Sequence, residues 1–271
     1  MRSNKVHVTV MVLLIITIGQ LYAQEEREVS FFVPEGTQYS SLPFNGKSAT
    51  IAIHPNGSTS FTQDNSILVN GKIIEMPSRI RPSTICWTDS ASLVLFFDDT
   101  IYLLSSTYSL QPLIEVDAEK IVVRELGKGN FAFCAVGDTV IYQYDVLQKK
   151  NILLFHCSMP ISDFVVDGED IFFATGKYVV AYLKEKLYLP LFQNTQPIWR
   201  IAFCGSESMF LSDNEGLWLI NKDREKVSVT DQPIVDIVTD RFGHGFFETS
   251  DGSWVFVYPI HNYEINNTEH K

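Results

Sequence analysis

The 271-residue sequence predicts an all-β fold, a six-bladed β-propeller of four-stranded antiparallel blades closed by an N-terminal strand. Three observations carry that expectation. Short clusters of Val, Ile, Phe and Tyr alternate with Gly, Asp, Asn and Ser, and no long helical periodicity interrupts them. A five-residue strand pattern returns at intervals of 34, 36, 43, 37 and 36 residues. A turn dipeptide returns on the same beat.

The chain opens with a segment that belongs to export rather than to the fold. Arg2 and Lys5 precede the apolar run Val8–Ile18, and Ala23 is a small residue suited to a cleavage site before Gln24. Eleven residues are too few to span a bilayer comfortably, so the expectation is a signal peptide over 1–23 and a periplasmic or secreted product with no transmembrane span after cleavage; Leu21, atypical at position −3, leaves an uncleaved anchor as the alternative. The propeller domain is expected over 24–260, followed by a polar tail over 261–271. Without the leader, 19 basic residues face 32 acidic ones, a net charge of −13. That balance repels phosphate backbones and anionic lipid and argues against nucleic acid as a partner.

Glu28–Val33 (EVSFFV) reads as a strand with nothing of its own to pair with. Six first strands follow, over 50–54, 84–88, 120–124, 163–167, 200–204 and 236–240. Their second residue is always Ile or Phe, and their middle residue is always small or β-branched: Ala52, Cys86, Val122, Val165, Ala202, Val238. Because successive side chains point to opposite faces, one face of every first strand is bulky and the other narrow. Turns are expected at Asp64-Asn65, Asp98-Asp99, Gly137-Asp138, Gly176-Lys177, Asn214-Glu215-Gly216 and Asp251-Gly252, where two-residue hairpins need positive φ. Third strands start near Ile67, Ile101, Val140, Val179, Leu217 and Trp254.

Five copies continue into a fourth strand, over 72–75, 113–116, 152–155, 187–191 and 226–229; the sixth has none, since the chain after Tyr258 turns polar. Placing Glu28–Val33 there closes the ring and leaves no unprotected edge. A two-sheet sandwich explains the alternation but not the beat. The four cysteines lack the spacing of a metal knuckle or redox pair, and they read as small core residues rather than disulfides.

The last copy, with Asp240, Gly243, Thr249 and Asp251-Gly252, resembles the repeats of bacterial two-component-regulator propellers. His54-Pro55-Asn56-Gly57 is similar to the D-P-x-G of NHL-type six-bladed propellers. The Tyr22-Ala23-Gln24 junction resembles the leaders of Bacteroidetes-type Gram-negative bacteria. The likeness covers most of residues 50–260 as architecture and the last copy alone as a motif. The resemblance implies a fold and the sensory domain of a larger regulator, but no activity, because propellers host many unrelated functions.

Catalytic signatures do not surface: there is no G-x-S-x-G, H-E-x-x-H, C-x-x-C or phosphate-binding glycine loop. His156 beside Cys157 is the only close pair of soft ligands, too few for a metal. Asp98-Asp99 and Asp213-Asn214-Glu215 are acidic, but tight turns favour those residues anyway. The expectation is therefore no metal and no cofactor.

The best candidate site comes from the alignment itself. First positions put Lys120, Asp163, Arg200 and Asp236 of four adjacent blades at one channel mouth, with Trp199 beside them for stacking. Fifth positions put His54, Arg124, Asp167 and Asp240 at the other. These charges would bind a polar ligand, or would pair with one another and fix the register of neighbouring blades. The function read from this is a monomeric, non-catalytic binding module for a protein or glycan partner. The alternative is a periplasmic hydrolase or lyase with its site at the channel mouth.

Overall fold

The chain enters its first described element through β1 (Thr37–Leu42), a strand that belongs to the last blade. Blade one is β2 (Ile51–Ile53), β3 (Thr59–Gln63), β4 (Ser66–Val69) and β5 (Lys72–Glu75). Blade two is β6 (Thr84–Asp89), β7 (Ser92–Phe97), β8 (Thr100–Leu104) and β9 (Leu110–Glu115). Blade three is β10 (Ile121–Gly127), β11 (Asn130–Ala135), β12 (Val140–Asp145) and β13 (Lys150–His156). Blade four is β14 (Asp163–Asp167), β15 (Asp170–Thr175), β16 (Tyr178–Tyr182) and β17 (Tyr188–Gln193). Blade five is β18 (Arg200–Cys204), β19 (Ser208–Asp213), β20 (Gly216–Ile220) and β21 (Lys226–Thr230). Blade six is β22 (Ile234–Thr239), β23 (Gly245–Thr249) and β24 (Trp254–Pro259), with β1 outermost. This computed structural model describes residues 37–42, 50–53, 59–63, 66–69, 72–76, 82–89, 92–204, 208–239 and 245–259.

The innermost strands touch in sequence, β2 to β6, β6 to β10, β10 to β14, β14 to β18 and β18 to β22, and β22 touches β2. The ring is closed: this is the six-bladed propeller that the repeat predicted. One element differs. The outer edge of β24 is occupied by β1, in register from Thr37↔Pro259 to Leu42↔Trp254, so the place expected for Glu28–Val33 is taken by Thr37–Leu42. Glu28–Val33 itself lies outside the described residues, as does the tail over 261–271.

The bulky and narrow faces of the inner strands explain how the core is built. In each blade the second residue packs backwards and the middle residue packs forwards. Ile201 joins Val165 and Ala174 of blade four, whereas Ala202 joins Ile234, Ile237 and Phe247 of blade six. Phe164 packs against Phe155 and Ile141 of blade three, and Val165 against blade five. Ile51 packs against Phe246 and Trp254 of blade six, and Ala52 against Ile85 and Trp87 of blade two. Sheets crowd together near the axis, so one bulky layer must meet one narrow layer at each interface. Burying each large side chain stabilises the ring by about 1.5–3 kcal/mol, and no single blade buries its own.

The four cysteines form no disulfide, and Cys86, Cys134 and Cys204 lie in strands β6, β11 and β18. Burial pushes the Cys86 and Cys134 thiols up to about 12, which leaves them protonated and inert.

Outer strands are protected locally. Register shifts interrupt β8–β9, β12–β13, β16–β17 and β20–β21, and Pro112 and Pro190 lie in β9 and β17. Bulges and prolines twist these edges and remove ladder donors, which discourages pairing with another chain.

The turn before β8 is less well adapted. Asp98 and Asp99 join the paired residues Phe97 and Thr100 with φ of 50° and 53°. Two positive φ values are what a type I′ hairpin needs, and Asn-Gly adopts them with less strain. Asp98→Asn with Asp99→Gly should therefore stabilise the protein by about 1 kcal/mol, raising its melting temperature by about 2–4 °C in differential scanning fluorimetry.

Candidate functional site

At the end where the inner strands begin, side chains reach from one blade to the next. Thr50 Oγ1 donates to Pro82 O at 3.0 Å, and Thr84 Oγ1 to Ile121 O at 2.9 Å. Asp163 accepts Ile201 N–H of blade five at 2.9 Å, and Arg200 Nε lies 3.5 Å from Asp236 Oδ1 of blade six. The first-position residues are thus clasps between neighbouring blades. Lys120, half-buried, joins none of these pairs.

Arg124 departs from its expected position. Its fifth place in the strand assigned it to the opposite mouth, yet the side chain folds back. Nη1 donates to Val123 O at 3.0 Å, and Nη2 meets Asp163 Oδ1 at 2.8 Å. Residue number places the Cα, but a long guanidinium carries its charge well away from it. The result is an alternating row across four blades: Arg124, Asp163, Arg200, Asp236. Arg200 is further held by Ser162 O at 3.2 Å and Trp199 O at 2.8 Å.

Asp163 is fully buried, and both of its oxygens are bonded, Oδ1 also accepting Phe164 N–H at 2.8 Å. Burial pushes its carboxyl above the usual range, against the pull of Arg124, Arg200 and the Ile201 N–H; the Asp236 charge adds to the push. Trp199 is 36% exposed beside this row, with its backbone N–H donated to Ser212 O at 2.9 Å. Asp167 is exposed at the end of β14 and is not drawn into the row. His54 and Asp240 lie outside the described residues.

A second polar centre forms at the Asp213-Asn214-Glu215 turn, which the sequence marked as acidic and as a turn but not as a buried hydrogen-bonded centre. Asp213, fully buried at the end of β19, accepts Glu215 N–H at 2.8 Å, Gly216 N–H at 3.1 Å and Trp218 Nε1–H at 3.0 Å. Its other oxygen accepts Asn194 Nδ2–H at 2.7 Å and faces Lys226 Nζ at 3.3 Å. Lys226 lies over the Trp218 ring at 3.7 Å and donates to Asn194 Oδ1 at 2.6 Å. Gly216, at φ +150°, completes the turn where a Cβ would come within 2.1 Å of Thr230 O. The acidic turn is therefore a structural knot that ties the entry of blade five to its outer strand.

Burial pushes the Asp213 carboxyl up, but the hydrogen bonds from Asn194, Trp218 and Glu215 and the Lys226 charge outweigh it and hold it below its ordinary value. A lowered folded pKa stabilises the fold fully above the unfolded value of about 3.9, and that contribution is lost as pH falls through the folded value. Asp213→Asn should cost about 1.5–3 kcal/mol at neutral pH. Urea titrations from pH 7 down to pH 3 should show the gap from wild type narrowing below about pH 4; a constant gap would refute this.

Among the described residues no group of three or more His, Cys, Asp or Glu is placed to hold a metal ion, and no helix is long and apolar enough to cross a membrane. Large apolar side chains instead collect on the outer rim of blades three and four. Leu153, Leu187 and Tyr188 are 60%, 59% and 55% exposed.

No protein-family model matches the sequence, and no curated protein matches it significantly. Solved structures match its fold. A streptogramin B lyase superposes with a TM-score of 0.59 at 11% identity, covering 82% of this chain and 98% of the other. YCF48 bound to D1 peptide gives 0.58 at 12% identity over 84% and 96%. The WD40 repeats of RRP9 give 0.56 at 13% identity over 78% and 76%. At such identities the likeness establishes the propeller fold and nothing finer.

Proposed function

We propose that the chain is an exported β-propeller that binds a protein or glycan partner without catalysing a reaction. One observation carries this: the charges at the inner-strand ends are turned on one another, while open contact surface lies on the rim and at Lys120 and Trp199. Asp163, Arg200 and Asp236 hold blades together, so they contribute a rigid frame rather than free ligands. The similar fold of a propeller bound to a peptide supports the reading, and the apolar run Val8–Ile18 supports export to the periplasm or beyond. Affinity purification of tagged full-length chain from the envelope of the producing cell, after cross-linking in place, should return one partner at constant stoichiometry. Recovery of none from intact cells would overturn the proposal.

A second reading has one observation behind it, the fold shared with a lyase. It places a hydrolase or lyase site at the channel mouth around Lys120, Asp163, Arg200 and Asp236. Turnover on a panel of lactones and glycosides that disappears with Lys120→Ala would favour it. No turnover on that panel counts against it.

A further inference from the structure

Two kinds of connection meet at the end of the ring where the inner strands begin. One is the turn between the second and third strands of a blade, and the other is the crossover to the next blade. Across blades three to five, hydrogen bonds tie them together. Gly137 N–H donates to Ile161 O at 2.8 Å, Ser162 Oγ to Ile198 O at 2.7 Å, and Ile198 N–H to Gly176 O at 2.8 Å. Val136, Met159, Tyr178 and Trp199 stand beside these bonded residues in sequence, and all four are exposed. The bonds make a firm platform of this sector. Single exposed apolar residues are ordinary, but a cluster held on one rigid surface marks a contact site.

Trp199 is its anchor, because blades two and four manage the same position with serine. Ser83 N–H donates to Phe96 O at 2.9 Å and Ser162 N–H to Ala174 O at 3.0 Å, as Trp199 N–H does to Ser212 O at 2.9 Å. Both serine hydroxyls turn in to the backbone, Ser83 Oγ to Phe96 O at 3.4 Å and Ser162 Oγ to Ala174 O at 3.3 Å. Blade five puts an indole there and leaves part of it in water, whereas Trp87 and Trp254 are buried. An exposed indole offers a large, rigid contact area that loses little conformational freedom when covered.

The exposed charges around the platform are mostly acidic. Asp138 lies in its blade-three turn. Towards blade two, Val136 N–H donates to Lys120 O at 3.0 Å, which brings Glu119 and Asp117 alongside; Val116 N–H donates to Asp99 O at 2.7 Å, which adds Asp98, Asp99 and Glu115. Towards blade six, Glu215 accepts Gln196 Nε2–H at 2.8 Å, and Asp231 packs against Gly216. Of the cations that reach this end, Arg124, Arg200 and Lys226 are already bound, to Asp163, Asp236 and Asp213. That leaves Lys177, exposed, and Lys120, half-buried, among the described residues; Arg79 and Arg81 lie outside them. The opposite end of the ring mixes Lys128, Lys149 and Lys222 with Asp167, Glu185 and Asp223. The excess of negative charge is thus a property of the platform end, and an occupant that covers its apolar side chains must bring positive charge.

We infer that this platform is the docking surface for a basic segment of a partner protein, one that carries a large apolar side chain between Lys or Arg residues. The inference rests on the binding-module reading above and names the face it uses and the chemistry of its partner. The apolar side chain covers Trp199 and its exposed neighbours, and Met159 adapts to its shape. A flanking guanidinium stacks on the indole. The other cations meet Asp138, Glu119 and Glu215 at the edge of the platform.

The test uses the full-length chain and two labelled peptides, Lys-Arg-Leu-Phe-Arg-Lys and its counterpart with Glu in place of every Lys and Arg. In fluorescence anisotropy the basic peptide should bind at least about tenfold more tightly than the acidic one. Trp199→Ser, which installs the side chain of blades two and four, should weaken it about fivefold or more. Glu119→Lys with Glu215→Lys should do the same, whereas Glu169→Lys with Glu185→Lys, an equal change of net charge at the other end, should weaken it less than about twofold. Equal affinity for both peptides, saturable binding of neither, or equal weakening by the two charge-reversed pairs would overturn the platform. A photo-cross-linking side chain placed at Tyr178, and another at Leu153 on the outer rim, separates this failure from that of the broader reading. Capture of a protein at Tyr178 in the producing cell that the basic peptide competes away supports the platform. Capture at Tyr178 that the peptide leaves unchanged, or capture at Leu153 alone, removes the basic-segment platform and keeps the binding module; capture at neither removes both.

Discussion

Asp163→Ala should lower the stability of the fold by about 3–5 kcal/mol, more than any other single substitution in the row of charges. The carboxylate is fully buried and accepts Arg124, Phe164 N–H and Ile201 N–H at 2.8–2.9 Å. Removing it orphans a guanidinium and two backbone donors at the junction of three blades. For a protein of this size the melting temperature should drop by roughly 6–20 °C, taking about 2–4 °C per kcal/mol.

Arg124→Met should behave differently, and the difference is the sharper test. Burial already pushes the Asp163 carboxyl up; without Arg124 it rises further, and the acid can take a proton instead of remaining an unpaired charge. A raised folded pKa gives stability that is fullest below the unfolded value of about 3.9 and is lost as pH rises through the folded value. The cost of Arg124→Met should therefore shrink as pH falls from 8 towards 4, while that of Asp163→Ala should grow over the same range, because the wild-type carboxyl is itself raised and contributes most at low pH. Arg124→Met combined with Asp163→Asn should recover much of the loss, since a buried pair replaced on both sides often costs little. A double variant as unstable as the sum of Arg124→Met alone and Asp163→Asn alone would show that the row is no coupled unit.

The architecture was legible because it is written in local chemistry. Asp98-Asp99, Gly137 and Gly176 sit where hairpins demand positive φ, and Ile201 beside Ala202 records which neighbouring blade each face meets. The closing strand was hidden because it needs neither signal. TQYSSL, on the outside of blade six, contributes ladder pairing to β24, and EVSFFV upstream looked more like a strand by composition. Composition reports burial, and the outermost strand of a blade is where burial is least required. The sites were legible only in part for a related reason. Spacing found Asp163, Arg200 and Asp236 together but put Arg124 at the far mouth. It had no access to Asn194 and Lys226, which reach Asp213 across 19 and 13 residues of sequence.

Deleting the chain through residue 42 should destabilise the whole ring rather than trim an end. Two contributions are lost together, and a permuted chain separates them. The first is pairing: six rows of contact between β1 and β24 disappear, and the edge of β24 opens to other chains. The second is closure: β1 comes from the start of the chain and β24 from its end, so their pairing fastens blade one to blade six. Holding the ends of a loop of some 200 residues together is worth on the order of 5 kcal/mol in chain entropy. Because Thr37 lies opposite Pro259, residues 37–42 can be moved behind Pro259 through an Asn-Gly turn, which completes blade six as an ordinary hairpin. That permutant regains the pairing but not the fastening. The expected order of melting temperatures is truncation lowest, permutant intermediate and full chain highest, with the truncation also prone to aggregate on heating. A permutant equal to the full chain would assign the whole effect to pairing. A truncation that melts with the full chain would mean that the ring does not depend on β1 at all.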